Sequence, residues 1–164
     1  MPDERLRVPV HPDYASAIGL AVYCFASLEW NAVWCCERIE PGSINGLADR
    51  TAGRVADTLV HLVKSLEPSD DQTELQKAAL DFRNLVATRN NLVHAKPATA
   101  SDGSQGLFRH GDPWTLDELR ETADAFTRCS LKLNAALHGF LAPGNNGGSK
   151  EIKELRMAGP PKGS

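Results

Sequence analysis

The chain has 164 residues, of which 41% are hydrophobic and 24% charged, and its formal net charge is −3. This length suits one domain with its own core, and the mild acidity argues against a broad basic surface for nucleic acid. The four cysteines form no Cys-x-x-Cys pair and the five histidines show no metal-ligand spacing, so we expect neither a metal nor another cofactor.

Residues 1–12 are predicted to be an extended lead, because Pro2, Pro9 and Pro12 oppose early helix formation. The first residues are acids and prolines and lack the apolar core of a signal peptide. No segment reads as an uninterrupted membrane span, so we expect a cytoplasmic protein without a membrane partner. The helical domain is predicted over residues 13–142.

The first predicted helix begins near Asp13 and ends at Pro41. It carries two apolar stripes at helical spacing. The first comprises Ile18, Val22, Phe25, Ala32, Cys36 and Ile39, and the second comprises Tyr23, Trp30 and Trp34. A surface helix has one such stripe, so this helix is either central to the core or shared with another subunit. We predict a homodimer through the second stripe; cover by another segment of the chain is the alternative.

Three further helices follow from apolar periodicity and start signals: one from about residue 45 or 51 to 66, one over 71–92, and one after the capping box at 115–118. Residues 96–113 are polar and rich in Gly and Ser, typical of a flexible connection or a functional flap. Residues 143–164 are predicted to form a flexible, disordered tail. No strand pattern of useful length appears. The predicted fold is therefore all-α, an antiparallel four-helix bundle with a long loop before the last core helix.

Arg89, Asn90 and His94 form the most informative motif, near the end of the third predicted helix. Arginine offers a permanently charged fork for phosphate, and histidine moves protons near neutral pH. On a helix, Asn90 and His94 share a face at i,i+4, and Arg89 flanks them toward the packed side. A cation there needs an anion or acceptors, and Glu29 of the first helix is the candidate partner for a buried structural pair.

Two other Arg–His pairs have similar spacing but the wrong context. Arg5 and His11 precede any predicted helix, and Arg54 and His61 lie on a solvated helix face together with Arg50, Asp57 and Lys64. In neither pair is the arginine followed by a polar residue in a helix that ends beside a polar loop.

Arg89-Asn90-x-x-x-His94, late in the third helix of a small helical chain, resembles the R-x(4–6)-H motif of the HEPN superfamily (higher eukaryotes and prokaryotes nucleotide-binding). The resemblance covers residues 13–141 in helix order. It implies a metal-independent endoribonuclease, often a toxin or defence component, whose active site forms at a homodimer interface. It also implies that an antitoxin or a nucleotidyltransferase is a possible partner.

The residue types indicate how such a site would act on RNA. His94 can transfer a proton to or from the 2′-hydroxyl or the leaving oxygen. Arg89 can neutralise charge on the phosphoryl oxygens, and Asn90 can orient the phosphate or the His94 ring. Lys96, Arg109 and His110 follow closely and are the candidates for additional substrate contacts.

Two alternatives remain open at this stage. The first is a non-catalytic module that binds a nucleotide or an anionic partner with the same Arg/His cleft. The second is a structural dimer in which Arg89 is simply paired with Glu29. A serine hydrolase is disfavoured because the chain has no G-x-S-x-G turn.

Overall fold

The computed structural model describes residues 9–145, which are predominantly helical with one small antiparallel sheet. In chain order the elements are α1 (Pro12–Ile39), α2 (Ile44–Leu47), α3 (Ala52–Lys64), α4 (Asp70–Val93), β1 (Lys96–Thr99), β2 (Gln105–Arg109), β3 (Asp112–Pro113) and α5 (Leu116–His138). Most of the predicted lead (residues 1–8) and of the predicted tail (from residue 146) lies outside the described residues.

Polar side chains cap the helix starts where the sequence indicates them. Ser69 Oγ accepts a hydrogen bond from the Gln72 N–H at 3.0 Å and so begins α4. Thr115 and Glu118 form the predicted capping box at the start of α5, each side chain accepting from the other residue's backbone N–H. These caps satisfy backbone donors that have no partner inside the helix.

The core is organised around α1, which packs most extensively against α5 and also contacts α2, α3 and α4. Three phenylalanines from different helices meet there. The Phe25 ring lies edge-on to Phe126 of α5, with centroids 5.0 Å apart, and 6.2 Å from Phe82 of α4. All three side chains are buried, so this aromatic cluster joins α1, α4 and α5.

Helix α1 is also long and apolar enough to cross a membrane, judged by length and composition alone. This differs from the expectation that no segment forms an uninterrupted membrane span. A core helix of a soluble protein meets the same criteria, and one side of α1 is indeed packed against the other helices. The cytoplasmic location therefore stays a prediction.

The expectation of a strandless connection over residues 96–113 is wrong, because this segment forms the three-stranded sheet in the order β1-β2-β3. Lys96 pairs with Phe108, and Arg109 pairs with Asp112 across the two-residue turn His110-Gly111. Both turn residues have positive φ, 53° and 93°, as a tight turn between twisted strands requires. The all-α prediction is therefore confirmed only in part: the described chain is predominantly helical but also contains a small sheet.

Tyr14 of α1 attaches the sheet to the first helix. Tyr14 of α1 accepts a hydrogen bond from the Leu107 N–H at 2.9 Å, and its hydroxyl donates to the Trp114 carbonyl at 2.7 Å. Gly106 lies beside this hydroxyl, where an added Cβ would come within 3.4 Å of it. The sheet is therefore held in part by a residue that lies 93 positions before Leu107 of β2 in the chain.

The second predicted helix is divided into α2 and α3, with residues 48–51 between them. Thr51 caps α3, since its Oγ1 accepts from the Arg54 N–H at 3.4 Å. Arg50 consequently lies before α3 rather than on its solvated face, and its Nε donates to the Gly46 carbonyl at 3.2 Å. The connection brings Arg50 to a different surface from Arg54.

We expect native cysteine reactivity to be confined to Cys24. Burial raises the pKa of Cys35 and Cys36 to about 12 and that of Cys129 to about 11, so almost no reactive thiolate forms at these positions near neutral pH. Cys24 is only partly buried. An aromatic disulfide reagent should label at most one thiol per native chain and all four after denaturation. Rapid labelling of two or more native thiols would contradict this packing.

Candidate functional site

Arg89 lies near the end of α4, four residues before its last residue Val93, with a half-buried side chain. Its guanidinium carbon is 5.2 Å from the centre of the Phe25 ring, within the range of a cation–π contact. One terminal nitrogen donates to Asn90 Oδ1 at 2.9 Å. Among residues 9–145, no carboxylate oxygen lies within 4.0 Å of this guanidinium. The cation is positioned by a ring and an amide, and its charge is not neutralised by a direct ion pair.

Arg89 borders a cleft of about 410 Å³ between α1 and the connection from α2 to α3. We call it the Arg89 cleft; it is lined by Ala26, Glu29, Trp30 and Val33 of α1, by residues 47–52, and by Arg89 itself. Its size falls within the roughly 300–1,000 Å³ of ordinary ligand sites. Glu29 and Asp49 carry its negative charges, and Arg50 joins Arg89 as a second cation.

His94 follows the last residue of α4 as its C-cap, with an exposed side chain. Its backbone N–H donates to the Asn90 carbonyl at 3.0 Å, which holds the two motif residues one helical turn apart. Within the described part of the chain, the imidazole has no hydrogen-bond partner. His94 is not among the residues that line the Arg89 cleft; Asn90 lies between it and Arg89 on the helix surface.

The three candidates for additional substrate contacts have separate positions. Arg109 of β2 reaches the end of α4, where a terminal nitrogen donates to the His94 carbonyl at 3.3 Å. Lys96 is exposed at the start of β1, and His110 occupies the turn after β2. None of the three lines the Arg89 cleft. Their role in substrate contact stays a prediction, and Arg109 has a demonstrable contact with the backbone of His94.

Glu29 and Arg89 interact across the cleft without direct contact. Burial raises the pKa of Glu29 above its usual value, and the positive charge of Arg89 opposes this effect only in part. A short ion pair would instead hold the carboxylate ionised. Glu29 is therefore a partly desolvated carboxylate beside the cation, and the structure contains no closed Arg89–Glu29 salt bridge.

The three aromatic residues of the second stripe of α1 differ in their exposure to solvent. Tyr23 is 72% exposed and Trp30 48% exposed, whereas Trp34 is half-buried, with its ring edge-on to Trp30 at 6.1 Å. Leu20 and Val22 add exposed apolar area next to Tyr23. Between Tyr14 and Cys36, Glu29 is the only charged residue of this helix. Within the described chain, α1 therefore presents an uncovered and nearly uncharged face.

Metal-ligand geometry is not present in the described range, since no group of three or more His, Cys, Asp or Glu side chains within residues 9–145 could hold an ion. The arrangement offers instead two guanidinium groups, an exposed indole and two carboxylates in one cleft. Such a set suits a ligand that combines an anion with hydroxyl groups and a flat ring.

Comparison with known proteins adds no assignment. No protein-family model matches the chain, and neither the curated proteins nor the solved structures provide a match. The interpretation of the motif consequently depends on the geometry of Arg89, Asn90 and His94 and on the cleft.

We expect Glu29→Gln to raise the melting temperature near neutral pH. Because burial raises the pKa of Glu29, ionising it in the folded protein is unfavourable, and glutamine removes that cost. Well below the usual value of 4.5 the carboxyl is protonated in both folded and unfolded chains, so the difference should vanish there. Melting curves of the two proteins over a pH series provide the measurement.

Glu37→Gln is a control with the opposite sign. The Gly42 and Ile44 N–H groups donate to the Glu37 carboxylate and lower its pKa. This variant should therefore melt lower near neutral pH, and its deficit should shrink as the pH falls through the lowered pKa. If Glu29→Gln lowered the melting temperature near neutral pH instead, Glu29 would be a paired, stabilising carboxylate.

Proposed function

We propose that this protein is a metal-independent endoribonuclease of the HEPN type, in which Arg89, Asn90 and His94 act on single-stranded RNA. The four long helices α1, α3, α4 and α5 would then form the HEPN bundle, with β1–β3 as an insertion before the last helix. A toxin or defence component is the biological role that the resemblance favours.

The observation that carries the proposal is the state of Arg89. A guanidinium placed only for stability would be expected to close an ion pair with Glu29. Arg89 instead rests on the Phe25 ring, donates to Asn90 and faces a cleft with its charge uncompensated at short range. His94 is exposed at the end of the same helix. This supports a cation kept available for a phosphate beside a histidine that solvent and substrate can reach.

The proposed reaction uses the nucleophile that RNA supplies. The 2′-oxygen attacks the adjacent phosphorus while its proton passes to a histidine, and the P–O5′ bond breaks as the leaving oxygen receives a proton. The products are a 2′,3′-cyclic phosphate and a 5′-hydroxyl. Arg89 stabilises the charge on the phosphoryl oxygens. One histidine serves poorly as both base and acid, and His94 of a second protomer would supply the second proton transfer.

The uncovered face of α1 supports a homodimer formed through this helix. Tyr23 and Trp30, together with Leu20 and Val22, leave more large apolar area exposed than a monomer ordinarily carries on one helix. The nearly uncharged face is about 33 Å long at the rise of an α-helix. Trp30 lies at the border of this face and also lines the Arg89 cleft. The interface would therefore end at the site and leave the cleft side of the Trp30 ring open to the substrate.

A non-catalytic module for nucleotides or anionic partners is the second candidate. It is favoured by one feature of His94: within the described residues no side chain orients its ring, whereas a general base is commonly held by a third group. The Arg89 cleft could then bind RNA without cleaving it.

We expect Arg89→Ala and His94→Ala to reduce cleavage of a labelled single-stranded RNA in EDTA by about 100-fold or more, the usual contribution of a general acid–base group or a transition-state charge contact. His94→Ala should keep its stability within about 0.5 kcal/mol because the side chain is exposed. Arg89→Ala should lose about 1–2 kcal/mol with the Phe25 contact. A loss of about 3–5 kcal/mol would indicate a buried ion pair.

The chain contains a matched control pair. Arg54 and His61 are exposed on α3 with comparable spacing, and neither lines the cleft. Arg54→Ala and His61→Ala should cleave like the wild type. Intact RNA after incubation with wild-type protein across a broad substrate panel would favour the binding module, and equal activity in all four variants would move the site elsewhere.

The dimer can be tested separately from the chemistry. Light scattering should give the wild type about twice the chain mass of 17.8 kDa. Tyr23→Asp should give the single-chain mass, because it places a charge in the middle of an apolar interface. Leu131→Asp is the control, since Leu131 is 62% exposed but lies on α5. A monomeric wild type, or a Tyr23→Asp protein that remains dimeric, would remove the proposed interface.

A further inference from the structure

The Arg89 cleft contains two side chains that the motif does not include. Arg50 comes from the connection before α3, and Trp30 comes from the exposed face of α1. Both lie far from residue 89 in the chain, and the fold brings them to the same cavity. Each has a property that the proposed reaction can use.

Arg50 is oriented and unneutralised. Its Nε donates to the Gly46 carbonyl at 3.2 Å, and this hydrogen bond orients the guanidinium. Both terminal nitrogens remain free of hydrogen bonds to the described residues. No carboxylate oxygen of residues 9–145 lies within 4.0 Å of it. A second guanidinium in the cleft provides a further contact for a phosphate of a bound strand.

Trp30 is an exposed ring that contacts a second indole. Its indole is 48% exposed, and the half-buried Trp34 supports it edge-on, at an interplanar angle of 84°. Rings held in this way are the surfaces on which unpaired bases stack. The carboxylates of Glu29 and Asp49 in the same cleft can accept hydrogen bonds from sugar hydroxyls. A ribonucleotide satisfies this combination better than a bare phosphate does.

We propose that Arg50 and Trp30 are substrate-binding residues, and that the Arg89 cleft holds one nucleotide of single-stranded RNA with its phosphate at the two arginines and its base on the Trp30 ring. This assignment rests on the proposed function for its ligand class. It names contacts that can be measured without cleavage.

The experiment measures binding of a fluorescein-labelled single-stranded RNA in the His94→Ala background, where the strand stays intact, by anisotropy over a series of salt concentrations. Adding Trp30→Ala should weaken binding by about 5- to 150-fold, the range for loss of one base stack. Adding Arg50→Ala should weaken binding and also lower the slope of log Kd against log salt by about 0.7, the value for one phosphate contact with a single strand.

The salt slope separates the two roles. Trp30→Ala should leave it unchanged, because stacking releases no counterions, and Trp30→Phe should recover part of the affinity. Arg54→Ala is the control for Arg50, since it removes the same charge from a surface outside the cleft. Because Arg54 contacts no bound phosphate in this proposal, Arg54→Ala should leave both the Kd and the salt slope unchanged.

Three outcomes overturn the assignment: no binding by the His94→Ala parent, unchanged affinity on removing Arg50 and Trp30, or equal effects of Arg50→Ala and Arg54→Ala. The proposed function fails independently. RNA binding that depends on Arg50 and Trp30 in a wild-type protein that never cleaves would keep the substrate contacts and reject catalysis. Cleavage with unaltered binding in both variants would do the reverse.

Discussion

The contact between Arg89 and the face of Phe25 is the interaction on which the candidate site depends. The Phe25 ring is buried in the core, where it packs against the rings of Phe126 and Phe82. The face of the same ring attracts the Arg89 guanidinium, whose carbon lies 5.2 Å from the ring centre. This cation–π contact leaves the positive charge of Arg89 unneutralised. Asn90 Oδ1 accepts a hydrogen bond from the same guanidinium. A cation at the border of a core is thereby kept charged and open to a cleft, which a carboxylate partner at short range would have prevented.

Local sequence signals were sufficient for the starts of α4 and α5 and for placing the motif near the end of α4. Caps such as Ser69 and Thr115 are set by side-chain bonds to the next few residues, so they can be recognised without the fold. The position of His94 at the end of α4 also follows from local features, namely the periodicity of that helix and Pro97 just beyond it. The expectation that Arg89 faces the packed side is borne out by its contact with Phe25.

The sheet and the cleft could not be predicted because nonlocal contacts create them. Residues 96–113 lack alternating apolar positions, and β1 is exposed throughout. The sheet is held by backbone pairing, by Tyr14 of α1 and by the hydrogen bond from Arg109 to the His94 carbonyl. The one local signal for the sheet is the His110-Gly111 turn between β2 and β3. Arg50 had been placed with Arg54 on a solvated face. Arg50 lines the cleft because the helix is interrupted between α2 and α3.

The central claim is that the motif cleaves RNA through the substrate's own 2′-hydroxyl. The chemical ends of the fragments test this most directly, because they record which oxygen attacked. After incubation of wild-type protein with one single-stranded RNA in EDTA, mass spectrometry should find each new upstream end as a 2′,3′-cyclic phosphate and each downstream end as a 5′-hydroxyl. Fragments ending in 3′-hydroxyl and 5′-phosphate, produced only when a divalent metal is present, would contradict the account.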